Sequence, residues 1–413
     1  MQLPKKSRVH IFKKIKRLPT RLRFVCKTFI LFFYSLVANA QEPLELGKII
    51  DSVAVTNTKD QTYAIYLPTS FDKDALSSIV FVFEPAARGV IGVKPFVEAS
   101  EEFGHIIVCS NNSKNGPMEK SFEIANALFN HIFSTYDIKE NEMYVSGFSG
   151  GARLATAIAS LTNQFTGVIA CGAGFSSVPS HTPSTQNFKY VGLCGNEDMN
   201  YREMRNNKVY LNRIKFEHTL VTFDGDHSWP PQAQITKAFR WCYVQKEKDP
   251  NLLLPYLQKA IFETRELVKN DHFLLADENY ERILGTYKTF FTLDSITTEH
   301  SQLRKSKSYK KASKSLASSL EKEEGVMGKL RERLKKDFAS PKKADLGWWE
   351  KEIANLDEDQ KDISEQQRKM FARVKFGIFV DIYYRSQPDF YSSNESQLAL
   401  SKKLLSIIKP KEE

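Results

Sequence analysis

The run Met143-Tyr-Val-Ser-Gly-Phe-Ser-Gly-Gly-Ala-Arg153 restricts the fold more than any other part of the chain. It opens as a short β-type stretch, passes through a G-x-S-x-G turn and continues into the Ala-rich helical stretch Ala152–Leu161. A serine at the apex of so tight a strand-to-helix turn must hold a strained backbone conformation, and its neighbours must be nearly free of side chains. Gly147, Gly150 and Gly151 meet that requirement. The following helix also directs the partial positive charge of its N-terminus at Ser149, where a developing oxyanion is favoured. Ser149 is therefore the candidate nucleophile. The competing reading is a structural glycine turn, since Gly and Ser often fall together in turns.

The sequence around this run alternates strand and helix signals. Ile49 to Leu67 is β-branched and alternating and ends at Pro68, as an entering antiparallel hairpin would. Ser78–Phe83, Gly104–Cys109, Gly167–Cys171, Lys189–Cys194 and Thr219–Phe223 are largely apolar runs suited to strands buried on both faces. Phe96–Phe103 and Ser121–Tyr136 carry helical spacing, the latter with Ile124, Ala127, Leu128 and Ile132 on one face. The expected architecture is α/β: a doubly wound, mostly parallel sheet, followed by an all-α region. In such sheets reactive groups gather at the carboxyl ends of the strands.

Two loops at those ends carry suitable chemistry. Gly195-Asn-Glu-Asp198-Met-Asn-Tyr201 follows one strand, and Asp224-Gly-Asp-His227-Ser-Trp-Pro-Pro231 follows another. A serine hydroxyl is a poor nucleophile until a base takes its proton, and the base needs an acid to fix its tautomer and stabilise the imidazolium. Ser149, Asp198 and His227 supply these three types in chain order. Glu197, Asp224 and Asp226 are alternative acids. His105, His131, His181 and His218 fall in strand, helix or Pro/Ser/Thr-rich contexts and read as structural histidines.

These motifs resemble the α/β-hydrolase superfamily, in particular secreted serine esterases of the polyhydroxybutyrate depolymerase and feruloyl esterase type, whose histidine loop is similar to Gly225-Asp-His227-Ser-Trp229-Pro230. The resemblance covers about residues 45 to 247. It implies a carboxylic ester hydrolase with a Ser149-Asp198-His227 triad, an acyl-enzyme, no cofactor and no metal. It also implies an oxyanion hole formed by the Gly150 N–H and a donor on the loop after the Ser78–Phe83 strand. Members commonly have His-Gly there, whereas this chain has Glu84-Pro85-Ala86-Ala87-Arg88-Gly89. Pro85 has no N–H, so the second donor falls by position to Ala86, or to Ala87 if the loop is shifted. Asn111 and Asn112 in the polar loop Ser110–Gly116, with Tyr201, Arg202 and Trp229 beside the acid and base, are candidate contacts for a sugar-linked or phenolic ester, or simply loop-forming residues. Two alternatives stand beside this reading: a peptidase on the same fold, or a degenerate hydrolase domain carrying a helical binding module.

The net charge of +10 does not indicate a nucleic-acid partner, because ten Lys and Arg and no acid lie within residues 1–40, leaving the remainder formally neutral. That basic region precedes an apolar core, Thr28–Val37, and Ala38-Asn-Ala40. The layout is that of a secretory signal peptide; the core falls short of the ~20 residues that span a bilayer, though an uncleaved anchor is the alternative. Export to a periplasmic or extracellular site is expected. The expected divisions are a signal peptide over 1–40, a hydrolase domain over 41–247 and a helical accessory domain over 248–413. Cys109, Cys171, Cys194 and Cys242 read as buried thiols, although export would permit disulfides. Beyond Pro250 strand signals cease. Leu252–Lys269 and His272–Phe290 read as a helical pair weakly similar to a tetratricopeptide hairpin, and Leu316–Phe338 as a charged helix interrupted by Gly325 and Gly328. Further helices are expected from Ser364 to Arg385 and from Gln397 to Ile408, the region offering a surface for a protein partner or a cover for the active site.

Overall fold

Alternation within the apolar runs is what builds two layers of core. In the run Ser77–Phe83 (β3), Val80 and Val82 face one side of the sheet and pack with Phe96, Ala99, Ile235 and Phe239. Phe81, between them, faces the other side, where its ring lies 4.5 Å from that of Phe129 and 6.3 Å from that of Phe165. The computed structural model describes residues 44–358, 363–387 and 390–408; the expected signal peptide and its cleavage site lie outside these residues.

Eight strands form one sheet. They are β1 (Ile49–Ala54), β2 (Thr62–Tyr66), β3, β4 (His105–Ser110), β5 (Ile138–Phe148), β6 (Gly167–Cys171), β7 (Lys189–Gly195) and β8 (His218–Phe223), in the spatial order β1-β2-β4-β3-β5-β6-β7-β8. The β1–β2 and β2–β4 pairings are antiparallel and all others are parallel. Helices α1 (Gly89–Val93), α2 (Val97–Phe103), α3 (Met118–Thr135), α4 (Gly150–Thr162), α5 (Tyr201–Arg213) and α6 (Gln232–Lys246) connect the strands and close the sheet. This is the α/β-hydrolase fold. The strand order reverses at β3, so the loops leaving β3 and β5 diverge and a crevice opens between them. The parallel register Phe83↔Gly147 sets the Glu84–Pro85 turn directly beside Ser149.

From Pro250 onward the described chain is helical: α7 (Pro250–Lys269), α8 (Phe273–Tyr287), α9 (Asp294–Lys305), α10 (Lys307–Ala339), α11 (Leu346–Glu358), α12 (Glu365–Arg385) and α13 (Glu395–Ile408). Two apolar clusters hold it, one around Leu253, Tyr280 and Ile296, the other around Leu334, Trp349, Phe371 and Ile378. Residues from Leu46 onward form one compact unit. Helix α10 helps to join its parts, burying Leu316 with Cys194, Met204 and Leu220 of the sheet region.

The expected interruption at Gly325 and Gly328 is absent; α10 runs through both without a break. Nothing lies within 4 Å of a Cβ added at either glycine, so neither marks a close approach. Each costs the helix about 1 kcal/mol against alanine, and the packing of Leu330, Leu334 and Phe338 overrides it. All four described cysteines are free and buried. Among the described residues no helix is long and apolar enough to cross a membrane.

Candidate active site

Ser149 stands between the end of β5 and the start of α4 with φ 52° and ψ −118°, a conformation that costs a non-glycine residue of order 1–3 kcal/mol. Two contacts hold it there. Its N–H donates to the Cys171 carbonyl at 2.8 Å, and α4 crosses β3 so closely that a Cβ on Gly151 would lie 2.0 Å from the Phe83 carbonyl oxygen. A Cβ on Gly147 would in turn lie 2.4 Å from the Gly151 backbone. The glycines of the motif thus serve close approach of helix to strand, and the serine carries the strain.

The loops after β7 and β8 bring the other two candidates to it. His227 Nε2 is 3.0 Å from Ser149 Oγ, and His227 Nδ1 is 2.9 Å from Asp198 Oδ2. Neither Nδ1 nor Oδ2 has another partner, so each is committed to the other. Asp198 is fully buried; its Oδ1 accepts the Asn200 N–H at 2.7 Å. Burial pushes the Asp198 carboxyl above the usual range, and the hydrogen bonds from His227 and Asn200 oppose that rise. The imidazole lies between aromatic rings, with Phe148 at 4.7 Å and Phe376 at 5.5 Å. Of the alternative acids, Asp224 is engaged elsewhere, at 2.7 Å from Lys369 Nζ and 3.1 Å from His272 Nδ1.

As the first residue of α4, Gly150 has an N–H with no acceptor inside its helix. The proposed second donor requires correction. The Ala86 N–H donates at 2.7 Å to the carboxylate of Glu84, which folds back over its own turn and also accepts the Arg88 N–H at 2.9 Å. The Ala87 N–H is taken by the Glu84 carbonyl at 2.9 Å. This loop therefore satisfies its donors internally instead of presenting them to a ligand.

Ser149 and Gly150 open into a cavity of about 1020 Å³ whose opposite wall belongs to α10 and α12, through Met327, Arg373, Gly377 and Tyr384. Arg153 lies in the cavity and is paired with Glu203 at 2.7 Å. Arg202 also lines it and pairs with Glu324. The other expected contacts lie outside it. Asn111 accepts the Gly89 N–H at 2.8 Å and donates to Asp51 at 2.9 Å, and Asn112 accepts the Thr62 N–H at 2.8 Å, so both fasten their loop to the β1–β2 hairpin. Tyr201 is buried beneath the guanidinium groups of Arg205 and Arg373, 5.5 and 5.1 Å from its ring centre. Trp229 packs its ring 5.4 Å from Phe148 and 5.9 Å from Phe96, behind the histidine.

Helix α12 braces both the Asp198 and the His227 loops. Arg373, buried, donates to the Asn196 carbonyl of the acid loop at 2.7 Å and to Glu323 of α10 at 2.6 and 2.8 Å. Lys369 reaches Asp224 at the start of the histidine loop. None of these helical residues carried a local motif; the apolar row Met370, Val374 and Ile378 gave only the sign of a core helix. Among the described residues no group of three or more His, Cys, Asp or Glu side chains is placed to hold a metal ion.

No protein-family profile matches the chain, and no curated protein matches it. Solved structures similar to it include FphF, a fluorophosphonate-binding serine hydrolase of Staphylococcus aureus, at 14% identity and TM-score 0.40, over 47% of this chain and 97% of that one. The feruloyl esterase module from Clostridium thermocellum aligns at 12% identity and TM-score 0.38, over 46% and 85%. Thermogutta terrifontis esterase 2 aligns at 13% identity and TM-score 0.37, over 48% and 93%. Each alignment spans half of this chain or less, and the likeness is one of fold.

Proposed function

We propose that the chain is an exported serine hydrolase that cleaves carboxylic esters through an acyl-enzyme. The observation that carries this reading is the continuous relay from Ser149 Oγ through His227 Nε2 and Nδ1 to a buried Asp198, at 3.0 and 2.9 Å, on a strained strand-to-helix turn. As Ser149 Oγ attacks the ester carbonyl, its proton passes to His227 Nε2, and Asp198 stabilises the imidazolium. The negative oxygen of the tetrahedral species faces the Gly150 N–H at the positive end of α4. Collapse breaks the bond to the alcohol, which leaves with the proton from His227. Water, deprotonated by His227, then releases the acid and restores Ser149.

The ester preference follows from the resemblance of the histidine loop, and export from the leader sequence. Hydrolysis of p-nitrophenyl butyrate and of the matching anilide by wild type and Ser149→Ala tests the activity: the ester is expected to be hydrolysed faster than the anilide, by wild type alone. Ester turnover unchanged in Ser149→Ala would refute the serine mechanism, and a faster anilide would make the enzyme a peptidase. Cell fractionation tests export; retention of the full-length chain in the cytoplasm would contradict it.

A further inference from the structure

The loop after β3 leaves the active site one donor short. Pro85 has no N–H, and the N–H groups of Ala86, Ala87 and Arg88 are all spent on Glu84. A tetrahedral oxyanion held by the Gly150 N–H alone would forgo a factor of about 10²–10³ in kcat.

A different side chain lies beside the Ser149–Gly150 turn. The side chain of Asn115, on the loop between β4 and α3, lies against Gly150: a Cβ added there would meet Asn115 Oδ1 at 2.0 Å and Nδ2 at 2.9 Å. The same residue is anchored to the β3 loop, its N–H donating to the Pro85 carbonyl at 2.8 Å. Its amide is oriented from the helical half, with Nδ2 donating to the Tyr384 hydroxyl of α12 at 3.0 Å. Tyr384 lines the cavity with Ser149 and Gly150, and its ring is fixed 4.7 Å from that of Phe390. An amide nitrogen carries two N–H groups, so one held by Tyr384 leaves the other for a ligand.

Building on the serine-hydrolase reading, we infer that the Asn115 amide is the second oxyanion donor and that Tyr384 positions it. The helical half thereby supplies the orientation on which the chemistry of the sheet half depends. Gly150 is required at its place because any side chain there would displace this amide.

The test compares wild type, Asn115→Ala, Asn115→Asp and Tyr384→Phe by kcat and KM on p-nitrophenyl butyrate, and by Ki for butylboronic acid, which forms a tetrahedral adduct on serine. Both Asn115 variants are expected to lose about 10²–10³ in kcat with KM within about threefold, and their Ki values to rise in parallel. Tyr384→Phe, which keeps the ring and removes the acceptor, is expected to lose about tenfold in kcat and to weaken the boronate with it. If Asn115→Ala unfolds, Asn115→Asp preserves the shape and decides the question. An Asn115→Asp enzyme with wild-type kcat and Ki overturns the inference and leaves the hydrolase reading standing. Wild type that neither turns over the ester nor binds the boronate overturns both.

Discussion

The two walls of the cavity are made in different ways. The sheet wall consists of short loops at the carboxyl ends of β5, β7 and β8, where the backbone alone delivers Ser149, Asp198 and His227 to one point. The wall formed by α10 and α12 comes from a region downstream of all three strands and touches the candidate site through side chains: Phe376 against His227, Arg373 on the acid loop, Tyr384 on Asn115. The first wall holds Ser149, Asp198 and His227 in place through topology. The second sets the shape and orientation of what topology leaves loose, so substitutions on the two walls are expected to fail differently.

The largest expected effect is on the sheet wall. Ser149→Ala or His227→Ala is expected to lower kcat by roughly 10⁴–10⁶ with little change in melting temperature, measured by ester turnover beside thermal unfolding. Asp198→Asn sharpens the contrast, with an expected loss of about 10⁴ in kcat through the wrong histidine tautomer. Its stability should move the other way. Burial raises the folded-state pKa of Asp198 above its unfolded value, so ionising it costs stability as pH rises past about 4, and that cost is absent below. The melting temperature of Asp198→Asn relative to wild type is therefore expected to increase from pH 4 toward neutrality; a constant or falling difference would contradict this.

On the helical wall the principal effect is expected in stability. Arg373→Ala leaves Glu323 buried without its partner and frees the Asn196 carbonyl, at an expected cost of about 3–5 kcal/mol in urea unfolding. A loss below about 1 kcal/mol, or a second transition left untouched by the substitution, would mean that the two walls fold independently. The smallest effect concerns the sheet layer remote from the cavity. His105 is buried among Phe103, Tyr144 and Phe239, and burial pushes its pKa down to about 4. Its neutral form holds the fold above pH 6.5, and the folded state loses up to about 3 kcal/mol as the pH falls from there to 4. His105→Phe is expected to flatten the stability profile across that window, read as urea midpoints at each pH.

Legibility followed the same division. Ser149, Asp198 and His227 could be singled out because each follows a buried apolar run, and strand-end loops are where a parallel sheet exposes function. The polar loop Ser110–Gly116 was also visible, but the prominent Asn111 and Asn112 fasten a hairpin while Asn115 reaches the site, a distinction fixed only by where the loop turns. The Glu84-Pro85 departure was visible too. Its consequence was not, since it depends on a carboxylate folding back over two of its own loop's N–H groups. In α12 the apolar row was legible as core, yet Arg373 and Tyr384 are isolated polar residues within a helical pattern and acquire meaning only from what lies opposite. Gly325 and Gly328 misled for a related reason: local propensity is weak against tertiary packing.

An activated Ser149 is the premise of the proposed hydrolysis. Reaction of the purified protein with a fluorophosphonate, followed by intact mass and peptide mapping, tests this most directly. One phosphonyl group on Ser149, lost in Ser149→Ala and in His227→Ala, is the predicted result. A folded wild-type protein that takes up no phosphonate, or takes it up equally in Ser149→Ala, would contradict it.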